Sequence, residues 1–163
     1  MIEKLFCYLP IAVALLLMLI SGCTPIRKIN GPAIVRQSGN VPCFSIESTE
    51  KTRAGEANLE MIEVVDEQGE EVWYVGFKKL PPFTPDQCIP YGQTTDVYTT
   101  KVPAEPLVPG QVYRIAIIAP MEKYPYETNG YTADFCLLKR PGQGILVHQV
   151  QFDSKTSRWL REV

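Results

Sequence analysis

Apolar and polar residues alternate with a period of two through most of this chain, and prolines and glycines interrupt the alternation at short intervals. Such alternation is typical of half-buried β-strands, because successive side chains of a strand point to opposite faces of the sheet. No run longer than two helical turns keeps a helical spacing free of β-branched or turn residues. The pattern predicts an all-β fold, specifically a single immunoglobulin-like β-sandwich of about 7–9 antiparallel strands.

Turn residues divide the chain into its predicted strands. Gly69 lies among acidic residues between two β-rich runs, which makes 58–78 a predicted hairpin. Segment 111–119 is mostly apolar on both faces, as expected of a central strand. Segment 78–93 holds four prolines, so we expect a long ordered connection rather than a helix or a central strand. The predicted strands cover 33–37, 41–47, 58–66, 71–77, 95–102, 111–119, 132–140, 144–153 and 157–163.

The N-terminal residues resemble a bacterial lipoprotein signal. The apolar run 11–20 has the length of a signal-peptide core and is short for a membrane span. It ends in Ile20-Ser21-Gly22-Cys23, which resembles the lipobox, an aliphatic residue and two small residues before a cysteine. The resemblance implies that a diacylglyceryl group is attached to Cys23 and that cleavage leaves a lipidated N-terminus. The alternative is a chance cysteine behind a signal that is cleaved elsewhere.

This signal divides the chain into three predicted parts. They are a cleaved lipoprotein signal peptide at 1–22, a lipidated tether at 23–32 and the β-sandwich domain at 33–163. Each buried methylene of an acyl chain contributes about 0.8 kcal/mol, so several chains anchor a protein stably. Thr24 stands where lipoproteins retained in the inner membrane carry Asp. The resemblance therefore implies the outer membrane, with the domain facing the periplasm.

Composition limits the class of partner. The formal net charge is -2, with both signs interspersed along the chain. Because no basic stripe is present, the sequence does not favour binding to nucleic acid. The length that remains after the signal is that of one domain with a substantial core.

Three cysteines remain after the signal and the lipidated position, and they allow three different single bridges. Cys43 lies in a strand-like apolar run and Cys88 ends the proline-rich connection, which favours a Cys43–Cys88 disulfide in an oxidising compartment. Cys136 lies in a second apolar run, where a reduced thiol packs as a small hydrophobe. A reactive Cys136 is the weaker alternative.

The sequence offers little support for catalysis. His148 is the single histidine, and nothing near it resembles the nucleophile of a hydrolytic triad. The acidic residues around Gly69 lack the alternating ligands of a calcium loop, so a solvated hairpin tip is the favoured interpretation. The glycines of the 142–144 turn precede no helix and do not form a phosphate loop. We therefore predict a protein that is not an enzyme and that uses no cofactor and no metal.

A tyrosine-rich loop is the candidate binding surface. Tyr124, Tyr126 and Tyr131 are predicted to lie in one loop that Pro125 stiffens, and exposed tyrosines give large contact areas at low entropic cost. The alternative is that these rings fold back on the edge of the sandwich. The proline-rich connection, which contains Phe83 and Tyr91, is a second candidate binding surface. A structural role is favoured for it.

The mature chain resembles a group of small enterobacterial lipoproteins described as type VI secretion immunity proteins. The shared features are a lipobox, an early strand with a cysteine, a Cys-hydrophobic-Pro motif and a later Gly-x-x-Tyr strand. The matching residues are Cys43, Cys88, Pro90, Gly110 and Tyr113.

This resemblance implies a protein that binds another protein. A toxin effector delivered to the periplasm by neighbouring cells would be captured and its active cleft blocked. Such a role needs a rigid scaffold with presented loops and no catalysis of its own. The alternative is a structural or assembly lipoprotein that holds an envelope or secretion machine together through the same domain. A lipoprotein that binds some other ligand is a third, less favoured alternative.

Overall fold

A computed structural model describes residues 30–124, 128–142, 144–153 and 158–160. The predicted signal peptide 1–22, Cys23 and Tyr126 lie outside the described residues. The strands are β1 Asn30–Ser38, β2 Val41–Ile46, β3 Met61–Val65, β4 Glu71–Phe77, β5 Ile89–Pro90, β6 Tyr98–Val102, β7 Val112–Ile118, β8 Gly130–Arg140, β9 Gly144–Asp153 and β10 Arg158–Leu160. A single-turn helix, α1, covers Glu50–Arg53.

The strands form one connected mixed sheet that curls into a half-barrel. The all-β class is therefore confirmed, and the immunoglobulin-like sandwich stays a prediction. Ten strands are described, one more than the nine segments predicted, because the two-residue β5 lies in the proline-rich segment that was expected to be a connection. The 58–78 hairpin is confirmed as β3 and β4, and β7 is a central strand between β3 and β8.

One strand pair is parallel, which corrects the expectation of purely antiparallel strands. Asn30–Pro32 of β1 pair with Gly130–Thr132 of β8 in the same direction. A parallel pair requires a long connection, and nearly one hundred residues separate these two strands along the chain. Because of this pairing β1 begins at Asn30 rather than at residue 33, so the last residues of the predicted tether belong to a strand.

Two glutamine side chains link β1 to β9 beyond the point where β1 leaves β8. The Val35 amide donates to Gln149 Oε1 at 2.9 Å, and Gln149 Nε2 donates to the Ala33 carbonyl at 3.2 Å. Gln37 bridges in the same way, donating to the Ile145 carbonyl at 3.0 Å and accepting from the Val147 amide at 3.3 Å. These amides satisfy strand backbone groups that would otherwise lack a partner and hold the curl of the sheet.

In the core, aromatic rings from different strands meet. Phe44 of β2 packs against Phe135 of β8 with ring centroids 5.5 Å apart, and against Trp73 of β4 at 6.2 Å. Tyr113 of β7 stacks on Phe135 at 5.7 Å. We call strands β1, β2 and β5 at one end of the sheet the β1–β2–β5 arm. Aromatic packing therefore holds this arm against strands β4, β3, β7 and β8.

The predicted disulfide is confirmed. Cys43 and Cys88 are bonded, with their Cα atoms 5.4 Å apart. The bridge joins β2 to the proline-rich connection just before β5, where Cys43 pairs with Pro90 and the Tyr91 amide donates to the Pro42 carbonyl at 2.8 Å. Covalent and hydrogen bonds thus hold the connection against the edge of β2.

The proline-rich connection has the structural role that the sequence favoured. Phe83 is fully buried in the core. The Tyr91 hydroxyl lies 2.7 Å from the Glu105 carbonyl oxygen and 3.0 Å from that of Val72, and burial raises the pKa of Tyr91. The Phe83 ring and the Tyr91 hydroxyl therefore both contribute to the packing of this segment.

Candidate partner-binding site

The loop between β7 and β8 is closed at its base and anchored to the rest of the domain. The Ala119 amide donates to the Asn129 carbonyl at 2.9 Å, which brings the two ends of the loop together. The Asn58 amide donates to the Pro120 carbonyl at 3.0 Å, and the Tyr124 amide closes a turn on the Met121 carbonyl at 2.9 Å. The first half of the loop is therefore held in one conformation by backbone hydrogen bonds.

Helix α1 lies beside this loop, and sequence reasoning missed it. Thr49 caps its N-terminus: the Thr52 amide donates to Thr49 Oγ1 at 3.1 Å, and the Thr49 amide donates to Thr52 Oγ1 at 2.8 Å. The Thr52 hydroxyl also donates to the Glu47 carbonyl at 2.7 Å. Thr49 at the N-cap and Thr52 at the third helical position form a capping signal, which the search for long helical periods did not test.

Two lysines connect the loop to the α1 segment. Lys51 Nζ lies 4.1 Å from the centroid of the Tyr124 ring, a cation–π distance. Lys123 Nζ lies 2.9 Å from Glu56 Oε1. We call the surface formed by residues 47–53, 119–124 and 128–129 the loop corner.

The predicted tyrosines have different positions. Tyr124 is 36 % exposed on the loop corner, as a partner-binding residue requires. Tyr126 lies outside the described residues. The prediction that Tyr131 shares the exposed surface is wrong, because β8 begins at Gly130 and Tyr131 is only 1 % exposed. Strand alternation puts Tyr131 on the same inward face as Phe135, so its ring joins the core.

A small pocket opens in the loop corner, with Tyr131 in its wall. Its volume is about 210 Å³. The Tyr131 hydroxyl is buried without a hydrogen-bond partner among the described atoms. Burial, and the nearby charge of Glu47, raise the pKa of Tyr131 to about 12. We call this the Tyr131 pocket; it is lined by Glu47, Thr49, Glu50, Lys51, Met121, Thr128 and Tyr131.

Gly31 allows the carboxylate of the pocket to sit against β1. A Cβ atom added at Gly31 would lie 2.6 Å from Glu47 Oε1 and 3.1 Å from Tyr131 Cδ1. Such approaches are closer than van der Waals contact, so a larger residue would displace the Glu47 carboxylate. The glycine therefore leaves the space that the Glu47 carboxylate occupies.

The sheet brings Cys136 and His148 together, which their separation in sequence concealed. They are directly opposite each other in the β8–β9 register and lie on the same face of the sheet. Cys136 lies outside the disulfide and is fully buried beside Val112 and Val150. A fully buried thiol is not accessible to a substrate, so the arrangement is consistent with packing.

The acidic hairpin tip uses its carboxylates for turn geometry. Asp66 Oδ1 accepts from the amides of Gln68 and Glu70, both at 2.9 Å. Glu67 Oε1 accepts from the Val112 amide at 2.9 Å. Within the described ranges, no group of three or more histidine, cysteine or acidic side chains has the arrangement of a metal site.

Comparisons of the chain with protein-family models, curated proteins and solved structures gave no match. In the part of the chain that the structure describes, no helix has the length and apolar character needed to cross a membrane. The geometry of the loop corner is therefore the structural basis for a functional proposal.

Proposed function

We propose that this protein is a lipid-anchored envelope protein whose domain binds another protein through the loop corner, and that the partner is a periplasmic toxin effector. The observation that carries the protein-binding part of the proposal is the exposed Tyr124 ring, held against Lys51 next to the Tyr131 pocket. The lipid anchor and the toxin as partner follow from the resemblance of the sequence to immunity lipoproteins. A fixed aromatic side chain next to a side-chain-sized pocket is the arrangement of an interface hot spot.

The backbone hydrogen bonds that order the loop support a role in binding rather than a purely structural role. Ordering a loop on association costs free energy, and a loop that is already ordered avoids part of that cost. The backbone bonds at Ala119, Pro120 and Met121 fix the residues that lead to Tyr124. In the proposed immunoglobulin-like sandwich, such loops at one end of a rigid sheet commonly form the binding surface.

The proposal places the loop corner near the membrane. Gly31, in the first strand, is next to Glu47 and Tyr131 of the pocket. If Cys23 carries the lipid, the seven residues that lead to Asn30 reach at most about 25 Å when fully extended. The partner would therefore be met close to the membrane that holds the anchor, which by the Thr24 position is the outer membrane.

The proposal is tested by affinity purification of the full-length protein from the envelope of cells in contact with effector-secreting neighbours. We expect one secreted effector in stoichiometric amount, and we expect its activity to be inhibited when the purified protein is added. An immunity protein blocks the active cleft, so binding without inhibition would contradict the proposal. Recovery of resident envelope proteins instead would support the assembly role and would contradict the proposal that the partner is a toxin.

A further inference from the structure

We propose that the Tyr131 pocket receives an arginine side chain of the protein partner. This inference rests on the proposed protein-binding function and names the chemistry by which one partner residue is recognised. Its basis is the combination of a small volume, two carboxylates and a buried hydroxyl that no described atom satisfies.

The size of the pocket matches a single side chain. Its volume of about 210 Å³ is below the roughly 300–1,000 Å³ that is usual for small-molecule sites. Met121 is 5 % exposed and provides an apolar wall for the methylene stem of an incoming side chain. A single long side chain that ends in a polar group therefore fits the pocket better than a larger ligand does.

The charge of the pocket favours a cation. Glu47 and Glu50 both line it, and neither carboxylate forms a salt bridge with another described residue. Lys51 is the opposing charge among the lining residues, and its ammonium group lies against the Tyr124 ring. With two carboxylates and one ammonium group, the lining of the pocket carries a net negative charge, which attracts a cation.

The Tyr131 hydroxyl is the second, independent indication of a ligand. Tyr131 is 1 % exposed, lines the pocket and lacks a hydrogen-bond partner among the described atoms. A buried hydroxyl left without a partner is unfavourable, so a donor that enters the pocket gains a hydrogen bond once a small shift of the wall exposes the oxygen to it. The carboxylates attract the cation, and the phenolic oxygen accepts one of its protons.

A guanidinium group suits these acceptors better than an ammonium group. It carries five N–H donors in a planar arrangement and is less strongly hydrated than an ammonium ion. It can therefore donate to the Glu47 carboxylate and the Tyr131 hydroxyl at once, and desolvation opposes its entry less. Arginine is also enriched at protein–protein interfaces.

The test uses the full-length protein in detergent micelles and the peptide acetyl-Gly-Arg-Gly-amide, followed by nuclear magnetic resonance. We expect saturable shifts of the Met121 methyl and of the Glu47 and Tyr131 amides. The matching peptide with citrulline, which has the same shape without the charge, should bind at least tenfold more weakly. Glu47→Gln and Tyr131→Phe should each weaken the arginine peptide at least fivefold, and Glu70→Gln on the hairpin tip should leave it unchanged.

Several results would overturn the inference. They are the absence of saturable shifts, equal binding of the citrulline peptide, and binding that Glu47→Gln does not weaken. Saturation by calcium chloride that excludes the arginine peptide would identify an inorganic-cation site instead. Tyr131→Phe removes only the hydroxyl, and its thermal midpoint, which we expect to be unchanged or higher, separates a binding effect from misfolding.

This test is independent of the test of the proposed function. If the peptide fails to bind while an inhibited effector is still recovered from the envelope, only the arginine inference falls. If the peptide binds as expected but no effector is recovered, the pocket chemistry stands and the toxin proposal falls.

Discussion

The double variant Cys43→Ala with Cys88→Ala is expected to lower the free energy of unfolding by about 4 kcal/mol. The disulfide links residues 45 positions apart, and the loop that it closes includes the whole β3–β4 hairpin. In the chain-entropy account, a closed loop of this length removes much of the freedom of the unfolded chain.

Equilibrium unfolding in urea, followed by circular dichroism, measures this loss. Wild type in the presence of a reductant is the matched control, and it should approach the stability of the double variant. A double variant within about 1 kcal/mol of the oxidised wild type would show that the bridge does not constrain the fold as proposed.

Phe44→Ala is expected to destabilise the protein by about 3–5 kcal/mol. Phe44 is fully buried, and its ring contacts both Trp73 and Phe135. Truncation would remove two aromatic contacts between β2 and the rest of the sheet, and it would leave a cavity in a closely packed core.

Phe44→Leu is the conservative control for this position. It keeps an apolar side chain that fills part of the same space, so it should cost clearly less than Phe44→Ala. The same urea titration compares the two variants with wild type. If Phe44→Ala costs no more than Phe44→Leu, the arm is not held to the sheet by this ring, and the account of the core is wrong.

Local patterns were sufficient to predict most of the strands and the disulfide. The hairpin of β3 and β4 has alternating residues and a turn glycine, so its two strands are specified by neighbours in sequence. Cys43 and Cys88 were distinguished from Cys136 by local context, a strand and a proline-rich connection against an apolar run. These features depend on residues close to one another along the chain.

The features that sequence reasoning missed depend on contacts between distant segments. β1 starts early and β8 starts at Gly130 because the two strand ends pair with each other. That pairing, invisible in the local pattern, buries Tyr131 and creates the pocket beside Glu47. The juxtaposition of Cys136 and His148 likewise follows from the β8–β9 register.

The most direct test of the binding account compares two alanine variants with wild type in binding to the recovered partner. Tyr124→Ala removes the exposed ring of the loop corner. Val108→Ala removes a 54 % exposed side chain near the opposite end of the β7–β8 hairpin. We predict that Tyr124→Ala weakens the affinity about 30-fold, as loss of an aromatic hot spot does, and that Val108→Ala leaves it unchanged. Equal affinities for both variants and wild type would contradict the assignment of the loop corner as the binding surface.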